Sequence, residues 1–255
     1  MTIIAIFNQK GGVGKTTTAL NLSAALTRSG RETCCIDLDP QAQLSDITGI
    51  NAKSGDDTVL SMFERNRPLH ELVLESKNGF SVIPAHGAMS RVDALFAKTY
   101  NVVNRLNAGL QGEKMRDNSN AVVIDCSPLI GVLSLNAIFA CDLLIIPVAA
   151  DHLSAKGGIK LEKTLMALEP ILKRRINRRY LLTRFDSRRR MGWEVLRLID
   201  EKFGKDVCRT SITESVSLAE SPALHMTVYE HAPTSRGAHN YEDLLAELVA
   251  DGFIK

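Results

Sequence analysis

Several features are absent from the 255-residue sequence, and each absence argues against a class of protein. No uninterrupted apolar stretch approaches the roughly 20 residues that a membrane-spanning helix needs. The apolar run at the N-terminus is short and no basic stretch precedes it, so a signal peptide is not predicted. The sequence also contains no internal repeat and no low-complexity segment. We therefore expect a cytosolic globular protein that forms one domain over residues 1–255.

The charge balance and the cysteine content are equally uninformative about a ligand. The formal net charge is only +2, so a nucleic-acid-binding site would have to arise from local clustering of basic residues. The five cysteines include no C-x-x-C pair, and the six histidines show no metal-ligand spacing. Most of the cysteines lie in apolar runs, which predicts small buried thiols.

What the sequence does contain is a repeated alternation of apolar strands and amphipathic helices. The predicted strands are 3–7, 33–38, 80–83, 121–125, 143–148, 180–183 and 207–212. The predicted helices are 15–29, 59–63, 69–73, 94–108, 159–172, 193–203 and 241–249, and 111–120 is predicted to be a surface loop. Strands that are apolar throughout are buried on both faces, which predicts an α/β fold with a mostly parallel twisted sheet and helices on both faces. Ligands of such sheets bind outside the carboxyl ends of the strands.

A glycine-rich segment joins the first predicted strand to the first predicted helix, which is the context that a phosphate-binding loop requires. The segment consists of Lys10, Gly11, Gly12, Val13, Gly14, Lys15, Thr16 and Thr17. Its glycines allow backbone N–H groups to surround phosphate oxygens, and the helix N-terminus adds unpaired donors. We expect Lys15 to reach the β- and γ-phosphates of ATP and the Thr16 hydroxyl to bind Mg²⁺.

This segment resembles a known family. KGGVGKTT is the deviant Walker A motif of the ParA/MinD group of P-loop ATPases, and the surrounding NQKGGVGKTTTALNLSAAL is most similar to the ParA/Soj branch. The resemblance implies an ATP-dependent homodimer, in which Lys10 reaches across the interface to the nucleotide of the other protomer. Weaker matches at Pro147-Val148, at 235–238 (SRGA) and at Tyr241 extend the resemblance over nearly the whole chain.

The resemblance also assigns roles to two acids that follow strands. Asp39 lies in the sequence DLDPQ, where the corresponding acid of the family helps to position or activate the attacking water. It therefore joins Lys10 and Lys15 as a predicted catalytic residue. Asp125 ends the strand AVVID and matches the Walker B acid, which implies Mg²⁺ binding through a water. Without the resemblance, the Asp39-Pro40 pair would indicate only the end of a strand and the start of a turn.

The densest positive stretch of the chain lies between residues 173 and 190. The candidates for contacts with the DNA backbone are Arg184, Arg188, Arg189 and Arg190. In Soj-like relatives an arginine corresponding to Arg188 belongs to the surface that binds DNA non-specifically. The alternative is a solvated helix face with ion pairs, because Arg190 and Glu194 have i,i+4 spacing. In addition, Glu214 and Ser217 stand where Soj-like relatives have arginines.

The function implied by the resemblance is the positioning of cargo by an ATPase. ATP would produce the dimer, the dimer would bind duplex DNA on the nucleoid, and a ParB-like or other adaptor protein would stimulate hydrolysis. The cargo could be a chromosome, a plasmid or a protein complex. Membrane association is disfavoured, because the polar face of the helix at 241–249 is acidic rather than basic.

Four other functions would leave features that can be sought in the sequence. A small-molecule enzyme that uses ATP would need an additional substrate pocket, and no candidate insertion is present. An iron–sulfur reductase would need cluster cysteines, whereas Cys126 directly follows the Walker B acid and has the position of a structural residue. A tyrosine kinase would carry a terminal tyrosine cluster, which the GFIK tail lacks. A MinD-like or other regulatory ATPase that acts on a membrane or a protein scaffold remains open.

Overall fold

The computed structural model describes residues 1–96, 102–118 and 120–254. In this part of the chain, seven strands form one sheet with helices on both faces, as the sequence predicts. The strands are β1 (Thr2–Ile6), β2 (Thr33–Leu38), β3 (Leu74–Glu75), β4 (Ser81–Ile83), β5 (Ala121–Cys126), β6 (Leu143–Ala149) and β7 (Arg178–Thr183). The helices are α1 (Lys15–Arg28), α2 (Gln43–Ile47), α3 (Val59–Arg65), α4 (Val92–Phe96), α5 (Arg105–Leu110), α6 (Glu113–Asn118), α7 (Val132–Ala140), α8 (His152–Leu172), α9 (Arg190–Phe203), α10 (Val216–Glu220), α11 (Val228–His231) and α12 (Arg236–Ala250).

The strand order β3-β4-β2-β5-β1-β6-β7 brings the predicted site residues together. All neighbouring strands are parallel except the pair β3 and β4. β5 lies between β1 and β2, and the register aligns Ile6, Asp125 and Asp37 in one row across the three strands. The loop after β1 and the acids of β2 and β5 therefore meet at the same edge of the sheet.

The sheet separates two hydrophobic cores, because successive side chains of a strand point to opposite faces. Ile4 and Ile6 of β1 pack in the core formed with α1 and α12, whereas Ile3 and Ala5 pack in the core formed with α7, α8 and α9. The strands β2, β5 and β6 are buried at every position. This burial on both faces is the reason that continuous apolar runs predicted these strands correctly.

One strand prediction is wrong. Residues 207–212 form no strand in the described structure; they join β7 through an isolated bridge between Val207 and Tyr180 and through hydrogen bonds from the N–H groups of Cys208 and Ile212. The backbone N–H groups of Arg209 and Thr210 donate instead to the Glu247 carboxylate of α12, each at 2.8 Å. A side chain therefore takes the place of a neighbouring strand as the hydrogen-bond acceptor, and the ladder is interrupted.

The structure also corrects one loop prediction and one helix prediction, and adds a short strand. The predicted loop at 111–120 contains α6, which the buried Met115 anchors to the core. In place of one helix over 94–108 there are α4, a 3₁₀ turn at Val102–Asn104 and α5, while residues 97–101 lie outside the described residues. β3 was not predicted, because it is two exposed residues long at the edge of the sheet.

The C-terminal helix packs on the protein, as its apolar face predicts. Tyr241, Leu244 and Leu248 of α12 are buried in the core that they share with α1. The five cysteines are free and buried, also as predicted. In the described part of the chain, no helix has both the length and the apolar character that crossing a membrane requires.

Candidate nucleotide-binding site

The glycine-rich loop between β1 and α1 has a backbone that only glycine adopts readily at two positions. Gly12 and Gly14 have φ angles of 73° and 88°, in the left-handed region. No atom lies within 4 Å of the position that a Cβ would occupy at Gly11 or Gly12. The loop therefore leaves an open concavity at the N-terminus of α1, where the first N–H groups have no intrahelical partner.

Two side chains fix the loop to the neighbouring strands. The Asn8 amide donates to the Pro147 carbonyl of β6 at 2.7 Å, and the Asn8 side-chain oxygen accepts from the Lys10 N–H at 3.0 Å. The Thr183 hydroxyl of β7 donates to the Val13 carbonyl at 2.8 Å. These bonds hold the loop in shape before any ligand is bound.

Lys15 is directed into the site. Its side chain is almost fully buried, and its ammonium donates to the Lys10 carbonyl at 3.1 Å. Burial lowers the pKa of Lys15, and the nearby charges of Asp125 and Asp39 partly oppose this shift. An ammonium confined beside a glycine-lined anion site is suited to binding phosphate oxygens, the role that the sequence predicts.

Two buried carboxylates lie side by side at the ends of β2 and β5. Asp37 accepts hydrogen bonds from the Ser45 hydroxyl at 2.7 Å and from the N–H groups of Ser45 and Asp39 at 3.0 Å. Asp125 is fully buried, and neither of its oxygens has a hydrogen-bond partner in the described structure. Burial and the charge of Asp37 raise the pKa of Asp125 well above its usual value.

Asp39 lies at the entrance to the site. It is partly exposed, and its carboxylate accepts from the Gln41 N–H at 2.9 Å. It lines a cavity of about 480 Å³ above the glycine loop together with Lys15, Thr16 and Thr17. Six of the eight predicted phosphate-binding residues, all but Lys10 and Val13, therefore share one cavity with the predicted water-positioning acid.

The far wall of this cavity contains residues that sequence reasoning missed. They are Thr183, Ile212, Thr213, Glu214, Ser215, Leu218, Ala219 and Tyr241. Of these, Glu214 was considered only as a departure from a DNA-binding surface, and Tyr241 only as a weak family match. No local motif marks the wall, because it forms where the segment after β7 folds back over α1.

Lys10 is held within its own chain. Its ammonium contacts the Asp151 carboxylate and the Ser154 hydroxyl, both at 2.8 Å. Asp151 also caps α8 by accepting from the Ser154 N–H at 2.8 Å. Burial opposes ionisation of Asp151, but the hydrogen bonds from Lys10 and Ser154 outweigh it and lower its pKa to about 2. Asp151 was not singled out from the sequence; it lies two residues after the buried strand β6 and caps α8.

All four arginines proposed as DNA contacts form ion pairs. Arg188 and Arg189 lie 2.9 and 3.3 Å from Asp186. Arg184 and Arg189 lie 3.6 and 3.2 Å from Glu214. Arg190 lies 2.8 Å from Glu194, the pair that the helix spacing predicted as an alternative to DNA binding.

The residues present fit ATP and Mg²⁺. Asp125 is a buried carboxylate with both oxygens unpaired, beside the Thr16 hydroxyl, and such a carboxylate is costly unless a cation compensates it. The concavity over Gly11 and Gly12 is free of side chains, and Lys15 supplies a buried positive charge. The site therefore has a cation-binding half and an anion-binding half in contact.

This arrangement defines the class of protein: a P-loop nucleotide-binding protein with a deviant Walker A loop. A protein family described as an AAA domain matches residues 1–178. The chromosome-partitioning ATPase Soj of Thermus thermophilus is 35% identical over 249 residues, which cover 97% of this chain and 95% of Soj. The chain belongs to the ParA/Soj-type ATPases of the ParA/MinD family.

Two solved structures show the same architecture. The ATP complex of a McdA variant from Cyanothece has a TM-score of 0.87 and 21% identity, with 100% of this chain and 97% of that chain covered. Cobyrinic acid a,c-diamide synthase from Mycobacterium smegmatis, with a bound ATP analogue and magnesium, has a TM-score of 0.83 and 25% identity, with 99% and 97% covered. The fold thus occurs both in McdA and in cobyrinic acid a,c-diamide synthase.

Proposed function

We propose that this protein is a Mg²⁺-dependent ATPase that dimerises on ATP, binds duplex DNA non-specifically and positions cargo on the nucleoid. An adaptor protein stimulates its hydrolysis, in the manner expected from the sequence. The name of the Thermus relative, a chromosome-partitioning ATPase, supports this proposal over the small-molecule enzyme, because its identity to this chain is the higher of the two. The proposed location is the cytoplasm, on the nucleoid.

The main observation in support of the proposal is that the two lysines of the loop have different environments. Lys15 is buried in its own phosphate site, whereas the Lys10 side chain is one-third exposed at the rim. Lys10 is held there by a carboxylate, so its binding partner is an anion. In the proposed dimer it leaves Asp151 for the phosphates of the nucleotide in the other protomer.

We assign this chain's residues the roles in hydrolysis that the family resemblance implies. The N–H groups of the glycine loop and Lys15 would orient the phosphates, and Thr16 and Asp125 would hold the metal. Mg²⁺ supplies charge neutralisation at the phosphates. Asp39, at the rim of the cavity, holds the attacking water in line. A closed dimer excludes bulk water from the cavity, which strengthens each of these interactions.

The first experiment measures mass by light scattering, and binding to duplex DNA of arbitrary sequence, with ATP, with ADP and without nucleotide. We expect dimers and salt-sensitive DNA binding with ATP only, and loss of both in Lys10→Ala. Asp39→Ala is expected to keep the ATP dimer and to slow hydrolysis about 100-fold, within the range of a lost catalytic group. A protein that stays monomeric with ATP and hydrolyses it only with a small carboxylate substrate would favour the small-molecule enzyme instead.

A further inference from the structure

Helix α8 carries a row of lysines that the sequence analysis did not single out. Lys156, Lys160 and Lys163 are exposed and have i, i+4 and i+7 spacing, so they share one face of the helix. Their Cα atoms are separated by about 6 and 4.5 Å along the helix axis. None of the three has an ion-pair partner among the described residues. We call these three residues the α8 lysine face.

The acids of α8 point elsewhere. Glu162 and Glu169 lie 3.1 and 3.0 Å from the guanidinium of Arg178, which is buried on β7. The hydroxyl of Tyr180 also donates to Glu162. The carboxylates of the helix are therefore used by internal pairs on its protein side, and the outward side has a single sign of charge.

The arginine cluster after β7 differs from the α8 lysine face because its arginines are paired with acids. The cluster consists of Arg184, Arg188, Arg189 and Arg190. Arg188 and Arg189 share Asp186, Arg190 is paired with Glu194, and Arg184 with Glu214. Each of these guanidinium groups already faces a carboxylate, and the hydrogen bonds from Arg188 lower the pKa of Asp186 to about 2, so a phosphate would share these arginines with the acids of the cluster. Four positive charges and three negative ones leave the cluster nearly neutral, so it attracts a polyanion weakly.

We propose that the α8 lysine face, rather than the arginine cluster, is the surface that binds the phosphate backbone of duplex DNA. This inference rests on the proposed function and assigns it to particular residues. Charge complementarity favours this occupant, because three mobile point charges in a row suit a regular line of phosphates and read no bases. A dimer carries two copies of the face, so ATP-dependent dimerisation also raises the avidity for one DNA molecule.

The test compares three variants of the ATP-bound protein by fluorescence anisotropy with a labelled duplex of arbitrary sequence, over a series of salt concentrations. The first is K156Q/K160Q/K163Q. The matched control is K53Q/K77Q/K205Q, which removes the same charge from exposed lysines scattered over other elements. The third is R188Q/R190Q. Thermal unfolding checks that each variant is folded.

We expect the α8 variant to lose at least tenfold in affinity at moderate salt, and the two other variants to lose less than threefold. The slope of log affinity against log salt should fall by about 3 if one face engages the DNA and by about 5 if both do, because each lost phosphate contact removes about 0.9. The lysine control should change this slope little, because its residues make no phosphate contacts. The slope therefore distinguishes direct contacts with phosphates from long-range electrostatic attraction.

Four results would overturn the inference. If the α8 variant binds DNA as the lysine control does while the wild type binds, the surface is wrongly placed and the proposed function survives. If R188Q/R190Q alone abolishes binding, the arginine cluster is the contact surface. If the wild type binds no DNA in any nucleotide state, the DNA-binding part of the proposed function fails with it. Retained DNA binding with loss of adaptor-stimulated hydrolysis in the α8 variant would assign the face to an acidic protein partner.

Discussion

At the scale of single residues, the buried Asp125 carboxylate is costly to the fold without ligand. It is fully buried beside Asp37, and its oxygens have no hydrogen-bond partner in the described structure. Burying an unpaired charge is expensive, so burial raises the pKa of this carboxyl and favours its neutral form when no cation compensates the charge. We therefore expect a bound cation to stabilise the fold, and the protein keeps this residue for function although it lowers the stability of the ligand-free state.

Asp125→Asn is therefore expected to stabilise the nucleotide-free protein and to abolish stabilisation by MgATP. Because the pKa of Asp125 is higher in the folded state, the native protein binds more protons between the unfolded and folded pKa values. The free energy of unfolding of the wild type then falls as pH rises through that window, by up to about 1.4 kcal/mol per pH unit. Urea unfolding without nucleotide at several pH values should show the advantage of the variant growing with pH.

The matched control for this measurement is Asp243→Asn, which changes an exposed acid of α12. It should leave both the pH dependence and the effect of MgATP as they are in the wild type. An Asp125 variant that is less stable than the wild type at neutral pH would show that the carboxylate has an internal partner, and would contradict the account of the cation-binding half.

The variant Asp151→Asn tests whether the ion pair with Asp151 holds Lys10 back from the dimer interface. Asparagine keeps the helix cap of α8 but removes the charge that attracts the Lys10 ammonium. Because both side chains are substantially exposed, we expect a modest effect, about two- to fivefold less ATP needed for half-maximal dimerisation. Sedimentation over an ATP titration measures it. A dimerisation curve that shifts to higher ATP would mean that Asp151 assists the dimer rather than competing with it.

At the scale of elements, the glycines near the two ends of α1 have similar backbone conformations, but only one of them lies at the proposed phosphate site. Gly12 precedes the helix and Gly30 follows it, both with positive φ and with open space where the methyl group of an alanine would lie. Alanine at either position should cost about 1 kcal/mol, or roughly 2–4 °C in Tm. Only Gly12→Ala should also weaken ATP binding, since its methyl group enters the concavity. Calorimetric titration of both variants decides this, and equal loss of affinity would argue against the glycine loop as the phosphate site.

The strands that could be predicted from sequence are those whose burial is complete. β2 is predicted without error and β5 and β6 to within a residue at their ends, because each is apolar and buried at every position. The segment 207–212 is half polar and only partly buried, and Glu247 of α12 accepts the N–H groups of Arg209 and Thr210 that a strand would give to a neighbour. A distant side chain of this kind leaves no trace in the local pattern, and neither does the exposed two-residue edge of β3.

At the scale of the whole molecule, one half of the site can be located from the sequence and the other half cannot. The phosphate and metal residues lie at the ends of β1, β2 and β5, so a motif and a strand-end acid locate them. The opposite wall, including Glu214 and Leu218, comes from segments that approach only when the chain is folded. The ion pairs of Arg184 and Arg189 with Glu214 also depend on tertiary contacts, whereas the pairs with Asp186 and Glu194 are local in sequence.

The proposed dimer makes the thermal stability of the whole molecule depend on protein concentration when nucleotide is bound. With a non-hydrolysable ATP analogue at about 100 times its dissociation constant, binding alone adds about 2.7 kcal/mol and is independent of protein concentration. Dimerisation adds a further rise in Tm that grows with protein concentration. Lys10→Ala should keep the first increment, since Lys15 still holds the phosphates, and lose the second. A wild-type Tm that rises with the analogue yet does not change over a hundredfold range of protein concentration would mean that the site closes within one chain, and that Lys10 serves its own nucleotide.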